Sequence, residues 1–243
     1  MSIYAIGDLH FSFTEIVTPG EWNTVKPYKP MDCFGENWVQ HYEKIYNNWK
    51  NKIEVTDTVL IPGDLSWAMK LEDIEPDLDF LAKLPGKKIL LKGNHDYWWE
   101  GISKVRSQLP EDTFALQYDS LKMNDIYIAG TRGWTLPSSS TTSNFDDHDE
   151  KIYNREVMRL EMSLKSIEEK AKTIVMFHYM PVNEKHEKNE FIQLLIDYEV
   201  DICIYGHLHG KESHENRISG KKWGIKFHLV SADFLNFSPK LIY

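Results

Sequence analysis

Cysteine is scarce in this chain of 243 residues, which contains only Cys33 and Cys203. Two cysteines cannot build a disulfide framework, and Cys203 lies within an apolar run where a buried thiol is the ordinary expectation. No apolar run approaches the ~20 residues that a membrane-spanning helix needs. No basic and apolar leader opens the chain. We therefore expect a protein of the reducing cytoplasm that does not bind membranes.

Positive charge is also in short supply. The 28 Lys and Arg residues face 37 Asp and Glu residues, which gives a net charge of −9. This balance argues against a basic surface and therefore against general nucleic-acid binding. Hydrophobic residues, by contrast, make up 42% of the chain and are ample for a core.

Five short apolar runs are rich in Ile and Val, and each leads into residues that can bind a metal ion. Such runs are typical of buried strands, and sites in α/β proteins form beyond the carboxyl ends of strands. We therefore expect the ligands that follow these runs to converge in one crevice. They are Asp8, His10, Asp64, Asn94, His178, His207 and His209. Seven ligands in one place suggest more than one metal ion.

Four of these ligands form two pairs, Asp8 with His10 and His207 with His209, whose members are two residues apart. In an extended segment such side chains point the same way, so each pair could present two ligands to one site. A single Asp-x-His is more often a surface turn. Two pairs together with three further ligands at strand ends argue against coincidence.

The chemistry of the ligands limits the metal. Two carboxylates, one amide and four imidazoles without sulfur suit Mn, Fe, Zn or Co better than Ca and disfavour Cu(I). Two divalent ions, Asp8, Asp64 and a bridging hydroxide would leave a net charge of about +1. Such a site would attract a small phosphorylated substrate.

The remaining pattern indicates alternating strands and helices. Helical spacing predicts helices over about 37–51, 74–84, 97–109, 151–170 and 191–198, and the proline-rich stretch 11–36 is irregular. The Ser/Thr-rich segment Ser138 to Asn144 and the acidic run Asp146 to Glu150 predict a mobile surface loop. No linker or repeat divides the chain, so residues 1–243 are expected to form a single α/β domain.

The five ligand blocks occur in a familiar order: Asp-x-His, Gly-Asp, Gly-Asn-His-Asp, His and Gly-His-x-His, from Asp8 to His209. This order resembles the calcineurin-like metallophosphoesterases. The resemblance implies a four-layer α/β/β/α sandwich, with two mixed sheets flanked by helices. It also implies hydrolysis of a phosphomonoester or phosphodiester by in-line attack of a metal-activated hydroxide. The expected cofactors are two divalent transition-metal ions, Mn by preference and otherwise Fe, Zn or Co.

The resemblance further implies a role for each residue. Asp64 would bridge two metal ions; one would also take Asp8, His10 and His209, and the other Asn94, His178 and His207. His95 would face the phosphate as a general acid or as an electrostatic stabiliser of the leaving oxygen. Asp96 would orient and charge His95 through a hydrogen bond. A helix N-cap is the competing interpretation of Asp96.

Some features stand apart from that pattern. Trp67 occupies the position, three after Asp64, where many small-molecule members carry an acidic residue. Arg132, at another expected strand end, could grip phosphate in a bidentate manner or form a structural salt bridge.

The sequence leaves two rival functions to consider. A non-catalytic scaffold on the same fold would be favoured by missing ligands, but the set is complete. A metallo-β-lactamase-like hydrolase would need a His-x-His-x-Asp-His run, which the chain lacks.

Overall fold

The structure is a computed structural model that describes residues 1–137 and 145–243. The loop predicted at Ser138 to Asn144 lies outside the described residues. The strands are β1 (Ile3–Ala5), β2 (Thr58–Pro62), β3 (Lys87–Leu91), β4 (Thr113–Ala115), β5 (Leu121–Met123), β6 (Ile126–Thr131), β7 (Lys172–Phe177), β8 (Ile202–Tyr205), β9 (Gly220–Lys222), β10 (Ile225–Leu229) and β11 (Lys240–Leu241). The helices are α1 (His41–Lys50), α2 (Glu75–Ala82), α3 (Ile102–Gln108), α4 (Asp147–Lys165), α5 (Glu190–Asp197) and α6 (Gly210–Glu215). None of these helices is long and apolar enough to cross a membrane.

The strands form two mixed sheets. The first has the order β11-β1-β2-β3-β4, in which β1 to β4 are parallel and β11 is antiparallel. The second has the order β5-β6-β7-β8-β10-β9, in which β6, β7, β8 and β10 are parallel and the two edge strands are antiparallel. The carboxyl ends of the parallel strands therefore meet at one edge of each sheet.

Alternate side chains of each strand enter different cores. Ile174 and Met176 of β7 join the core between the sheets, whereas Val175 and Phe177 pack against the outer helices. Burial on both faces explains why the strands are continuous apolar runs. Helices α1 and α2 cover the first sheet, and α4 and α5 cover the second. This arrangement confirms the four-layer sandwich.

The acidic run Asp146 to Glu150 was wrongly predicted to be loop, because helix α4 begins within it. Asp146 caps the helix by accepting hydrogen bonds from the backbone of His148 and Asp149, and the Asp149 side chain reaches back to the backbone of Asp146. Acidic residues favour the first turn of a helix because its free N–H groups carry partial positive charge.

The helix predicted over 97–109 is shorter than expected and begins only at Ile102. Gly101, in extended conformation, precedes it, and no side chain caps it. Residues 97–101 instead form one turn and irregular backbone beside the site, where the buried carboxylate of Asp96 organises the preceding loop.

The loops that leave β1 and β2 run side by side at the site edge. The backbone N–H of Asp8 donates to Gly63 (3.0 Å), and that of His10 donates to Asp64 (3.0 Å). On its other side, Gly7 forms an isolated parallel bridge with Ser231, which follows β10 of the second sheet. The loop that carries Asp8 and His10 is therefore held between the two sheets.

Candidate metal centre

Four of the predicted ligands have a left-handed backbone conformation. The φ angles of Asp8, His10, Asp64 and His207 are 57°, 49°, 53° and 68°. The prediction that Asp8 and His10 share a face because the segment is extended is therefore wrong, although both residues reach the site. Non-glycine residues at positive φ cost roughly 1–3 kcal/mol each and cluster at functional sites.

Two glycines allow the loops to close around the carboxylates. A Cβ atom at Gly93 would overlap the side chain and backbone nitrogen of Asp64. A Cβ atom at Gly206 would overlap the carboxylate of Asp8. Both glycines are therefore required for close approach of the backbone, as expected from their positions after buried strands.

The first group of ligands gathers around Asp8. Side-chain ligand atoms of Asp8, His10 and His209 all lie within 4.8 Å of one another. The Nε2 atoms of His10 and His209 are 3.3 Å apart, and Nε2 of His209 is 3.7 Å from Oδ1 of Asp8. Two imidazole nitrogens that face each other beside a carboxylate leave room for a cation between them.

The second group consists of Asp8, Asp64 and His178, whose side-chain ligand atoms also lie within 4.8 Å of one another. Oδ2 of Asp64 lies 3.5 Å from Nε2 of His178 and 3.8 Å from Nε2 of His10. Asp64 therefore lies between His178 and the first group, and Asp8 belongs to both groups. Oδ1 of Asn94 is 2.6 Å from Nε2 of His178.

His207 lies beside this second group. Its ring centroid is 5.0 Å from that of His178 and 4.2 Å from that of Tyr179. Its backbone N–H donates to both carboxylate oxygens of Asp8 at 3.0 Å. The structure thus brings all seven predicted ligands to one edge of the sheets; their distribution between two ions remains a prediction.

The electrostatics of the two carboxylates fit a bound cation. Burial raises the pKa of Asp8 to about 7, against an opposing effect of the His209 charge, and burial raises the pKa of Asp64 to about 6. The ligand atoms of these two carboxylates lie within 4.8 Å of each other. Two desolvated carboxylates this close repel each other when both are ionised. A divalent ion would remove that cost.

The histidines also fit. Burial lowers the pKa of His10 well below its usual range and that of His178 to about 3, so both rings are neutral. Nδ1 of His178 donates to the Pro62 carbonyl (3.0 Å), which leaves the lone pair of Nε2 free to bind a metal ion. Nδ1 of His10 is buried and has no hydrogen-bond partner among the residues that the structure describes.

His95 stands beside the two groups, half-buried. Its backbone N–H donates to Oδ1 of Asp64 (2.8 Å), and its ring centroid lies 5.9 Å from that of His10. Burial lowers the pKa of its imidazole. Trp67 packs against both rings, at 4.2 Å from His95 and 5.0 Å from His10, and forms a wall of the site that the sequence did not reveal.

Asp96 does not make the predicted hydrogen bond to the His95 ring. Its fully buried carboxylate accepts five hydrogen bonds within the described chain, and the ring is not among the donors. The donors are the backbone N–H groups of Asp64, Leu65, Ser66 and Gly93 and the indole of Trp98. Asp96 is not a helix N-cap either, since α3 begins six residues later. It holds together the two loops that carry Asp64 and Asn94.

We expect Asp96→Ala to destabilise the fold. If water reaches most of the abandoned donors and only two stay unpaired, the free energy of unfolding falls by about 2–6 kcal/mol. Urea denaturation would measure this loss. Asp125→Ala, in the exposed turn between β5 and β6, serves as the control. Equal stability of the two variants would contradict the role of Asp96 as a loop clamp.

Asp233 is a partner of the centre that sequence reasoning missed. Its Oδ1 accepts a hydrogen bond from Nδ1 of His209 (3.0 Å), and its Oδ2 accepts one from the backbone of Gly210 (3.0 Å). This fixes the His209 ring with Nε2 towards Asp8. Asp233 follows a parallel strand, β10, and that signal could have identified it.

We expect Asp233→Asn to weaken binding of one metal ion while the other is retained. Loss of a carboxylate that orients a ligating histidine typically costs 10- to 100-fold in metal affinity. Metal titrations followed by elemental analysis would resolve the two binding steps. Equal weakening of both steps would show that Asp233 supports the fold rather than His209.

Arg132 lies at the end of β6 but points into a neighbouring cavity. Its guanidinium is 3.9 Å from the buried carboxylate of Glu156 and stacks over Trp134 at 4.7 Å. Its backbone carbonyl accepts hydrogen bonds from His178 (3.1 Å) and Tyr179 (3.0 Å). A substrate-binding role for its side chain remains a prediction.

Comparison with known proteins identifies a family. The family model for the calcineurin-like phosphoesterases matches residues 1–211, which include all seven predicted ligands, His95 and Asp96. The comparison with curated proteins gave no match.

Solved structures are similar to this chain at low sequence identity. The phosphopantetheinyl hydrolase PptH of Mycobacterium tuberculosis is 14% identical, with a TM-score of 0.50, over 95% of this chain and 88% of that one. A protein of unknown function from Aquifex aeolicus, AQ665, is 15% identical with a TM-score of 0.46, over 98% and 94% of the two chains. The protein TT1561 of Thermus thermophilus is 14% identical with a TM-score of 0.48, over 86% and 82%.

Proposed function

This chain belongs to the calcineurin-like phosphoesterase family, and on that premise we propose that it hydrolyses small phosphomonoesters or phosphodiesters with the help of two divalent metal ions. The buried Asp and His groups are consistent with the dinuclear metal site typical of this family. The ligand set contains oxygen and imidazole nitrogen but no sulfur, which suits Mn, Fe, Zn or Co, and Mn is the cofactor proposed among these.

The position of the Asp64 carboxylate is the strongest support for this proposal. The carboxylate of Asp64 lies between His10 and His178, at 3.8 Å and 3.5 Å, and Asp8 belongs to both groups of possible ligands, with His10 and His209 and with Asp64 and His178. Asp8, His10 and His209 would hold one ion, and Asn94, His178 and His207 the other. The complete donor set argues against the alternative of a non-catalytic scaffold.

When bound, the metal ions supply Lewis-acid stabilisation of phosphoryl oxygens and lower the pKa of water. The chain provides the geometry. Asp96 fixes the loop of Asp64, Asp233 fixes the His209 ring, and the carbonyl of Pro62 fixes the His178 ring. Ligands held in this way need little rearrangement when a phosphate arrives.

His95 is the group best placed to serve the leaving oxygen. Its ring is half-exposed, whereas His10 and His178 are buried among the carboxylates. Its Nδ1 lies 3.5 Å from the hydroxyl of Tyr97, and its backbone is tied to Asp64. In this proposal His95 donates a proton to the leaving oxygen or stabilises its charge.

Metal binding should release protons at neutral pH. Burial alone would lower the pKa of His209, but its hydrogen bond to Asp233 and the charge of Asp8 raise that pKa to about 9. The pKa of Asp8, raised by burial, is about 7. Because the bound ion needs both groups deprotonated, affinity should rise with pH between about 6 and 9.

Calorimetric titration with Mn in buffers of different ionisation enthalpy would count these protons. We expect the ion that binds Asp8 and His209 to displace between one and two protons at pH 7, as the pKa values of these two groups indicate. Fewer protons should be released above pH 9. Asp233→Asn should release fewer at pH 8, because His209 loses the partner that raises its pKa. An affinity independent of pH would contradict this account.

The activity itself is tested by a screen of phosphomonoesters and phosphodiesters with Mn, Zn, Fe and Co added separately to metal-free protein. Hydrolysis that requires added metal supports the proposal. Full metal occupancy without hydrolysis of any ester would favour the scaffold instead.

A further inference from the structure

A cavity of about 280 Å³ opens beside the metal centre. It lies between the carboxyl ends of β3, β4 and β6 and helix α4, next to the ligand Asn94 that follows β3. Lys92, which lines it, immediately precedes Gly93 and Asn94, and Arg132 is tied through its carbonyl to His178. The cavity is therefore continuous with the loops that form the centre, and its volume is near the lower end for ligand pockets.

Positive side chains dominate the cavity. Lys92, Arg132, Arg155 and Arg159 line it, and Glu156 is the only buried carboxylate among the described lining residues. Glu100, the other acidic lining residue, is engaged by Lys104 at 2.6 Å. The surroundings are unusual in a chain with a net charge of −9.

Glu156 is already satisfied by two donors. Its Oε2 accepts a hydrogen bond from the hydroxyl of Thr131 (2.6 Å), and its Oε1 accepts one from Arg159 (2.6 Å). Arg132 and Arg155 approach the same Oε1 only to 3.9 Å and 3.7 Å. Glu156 therefore positions these two guanidinium groups without using their N–H groups.

One of those N–H groups has no acceptor among the described residues. Nε of Arg132 is buried without a hydrogen-bond partner, and the side chain of Arg132 is only 20% exposed. Arg155 is half-exposed at the cavity mouth. Burying guanidinium donors without acceptors is costly, whereas a phosphate group offers acceptors in the geometry that the guanidinium fork matches.

We propose that this cavity binds a second phosphate group of the substrate, so that the substrates are phosphoesters that carry another phosphate away from the bond that is cleaved. The part of this proposal that concerns the cleaved phosphoester bond rests on the proposed function. The anion site in the cavity does not, because its residues are separate from the metal ligands.

Non-hydrolysable ligands test the cavity independently of catalysis. Calorimetry on metal-loaded protein would compare straight-chain alkane bisphosphonates of graded length, from butane upwards, with alkyl monophosphonates of the same length. We expect the bisphosphonate to bind roughly tenfold to a hundredfold more tightly at the chain length that spans the two sites, as one or two charge-assisted contacts would give. Equal affinity at every length would overturn the proposal. The proposal would also be overturned if free inorganic phosphate occupied the cavity while the affinity of the bisphosphonates did not depend on the length of their linker.

Two variants locate the effect. Arg155→Gln removes a half-exposed cation, and Arg132→Lys keeps the charge but loses the planar fork; each should reduce the bisphosphonate advantage at least severalfold. Lys165→Gln is the matched control, since Lys165 lies on the same helix, pairs with Glu161 (2.8 Å) and does not line the cavity. Thermal unfolding would verify that all three are folded. An advantage that survives both arginine substitutions would refute the assignment.

The two proposals fail separately. A bisphosphonate advantage that depends on Arg155 and Arg132, in a protein that hydrolyses no phosphoester, would refute the proposed function and leave the anion site standing. Hydrolysis of simple phosphoesters without any such advantage would refute only the second phosphate site.

Discussion

Asp64→Asn is expected to abolish most phosphoesterase activity and to lower metal content at the same time. The amide is nearly the same size and can still accept the hydrogen bond from the His95 backbone, but it removes the negative charge between His10 and His178. Metal ions contribute several kcal/mol of transition-state stabilisation, and each ~1.4 kcal/mol is a factor of ten in rate. We therefore expect a loss of about 10³-fold or more in kcat/KM.

Metal content and turnover should be measured on the same sample of this variant. Asp77→Asn is a suitable control, because Asp77 is an equally buried carboxylate that bonds Ser66 and the backbone of Phe13 outside the ligand groups. Burial raises the pKa of Asp77 to about 7, so an uncharged replacement is tolerable there. Two tightly bound ions in Asp64→Asn would show that Asp64 does not bridge them.

His95→Ala is expected to keep both metal ions and lose about 10²- to 10⁴-fold in turnover, the usual contribution of a general acid. The loss should grow as the leaving group becomes more basic. A phenolate such as p-nitrophenolate leaves without much help, whereas an alkoxide needs a proton. A series of phosphoesters graded by leaving-group pKa would reveal this dependence as a steeper slope in the variant.

His148→Ala, which alters an exposed histidine in the first turn of α4, is the matched control and should leave the slope unchanged. If His95→Ala loses metal, His95 is a ligand and the proposed role is wrong. If the loss of activity is the same for every leaving group, His95 stabilises charge on the phosphoryl group rather than on the leaving oxygen.

The metal ligands were predictable from the sequence, whereas the residues that support them were not. Each ligand follows a buried strand, and a strand buried on both faces is visible as an unbroken apolar run. Once the strands are parallel, their carboxyl ends must share an edge. The seven ligands could therefore be placed together without knowing any loop conformation.

The supporting carboxylates follow no such pattern. Asp96 lies within a predicted block, yet it bonds backbone groups about 30 positions earlier. Asp233 reaches His209 across 24 positions, and Glu156 reaches Thr131 across 25. These contacts depend on how loops and a helix pack against the sheet edges, which local spacing does not encode.

The sequence by itself determined the alternation of strands and helices and the identity of the residues at the site edge, because hydrophobic periodicity is a local property. The four layers were implied by the resemblance to the family. Only the tertiary structure decided the left-handed turns that present Asp8, His10, Asp64 and His207. It alone showed that Asp96 clamps two loops and that Arg132 joins arginines of α4 in a separate cavity. Burial is the physical reason, because charged groups removed from water must find partners wherever the fold supplies them.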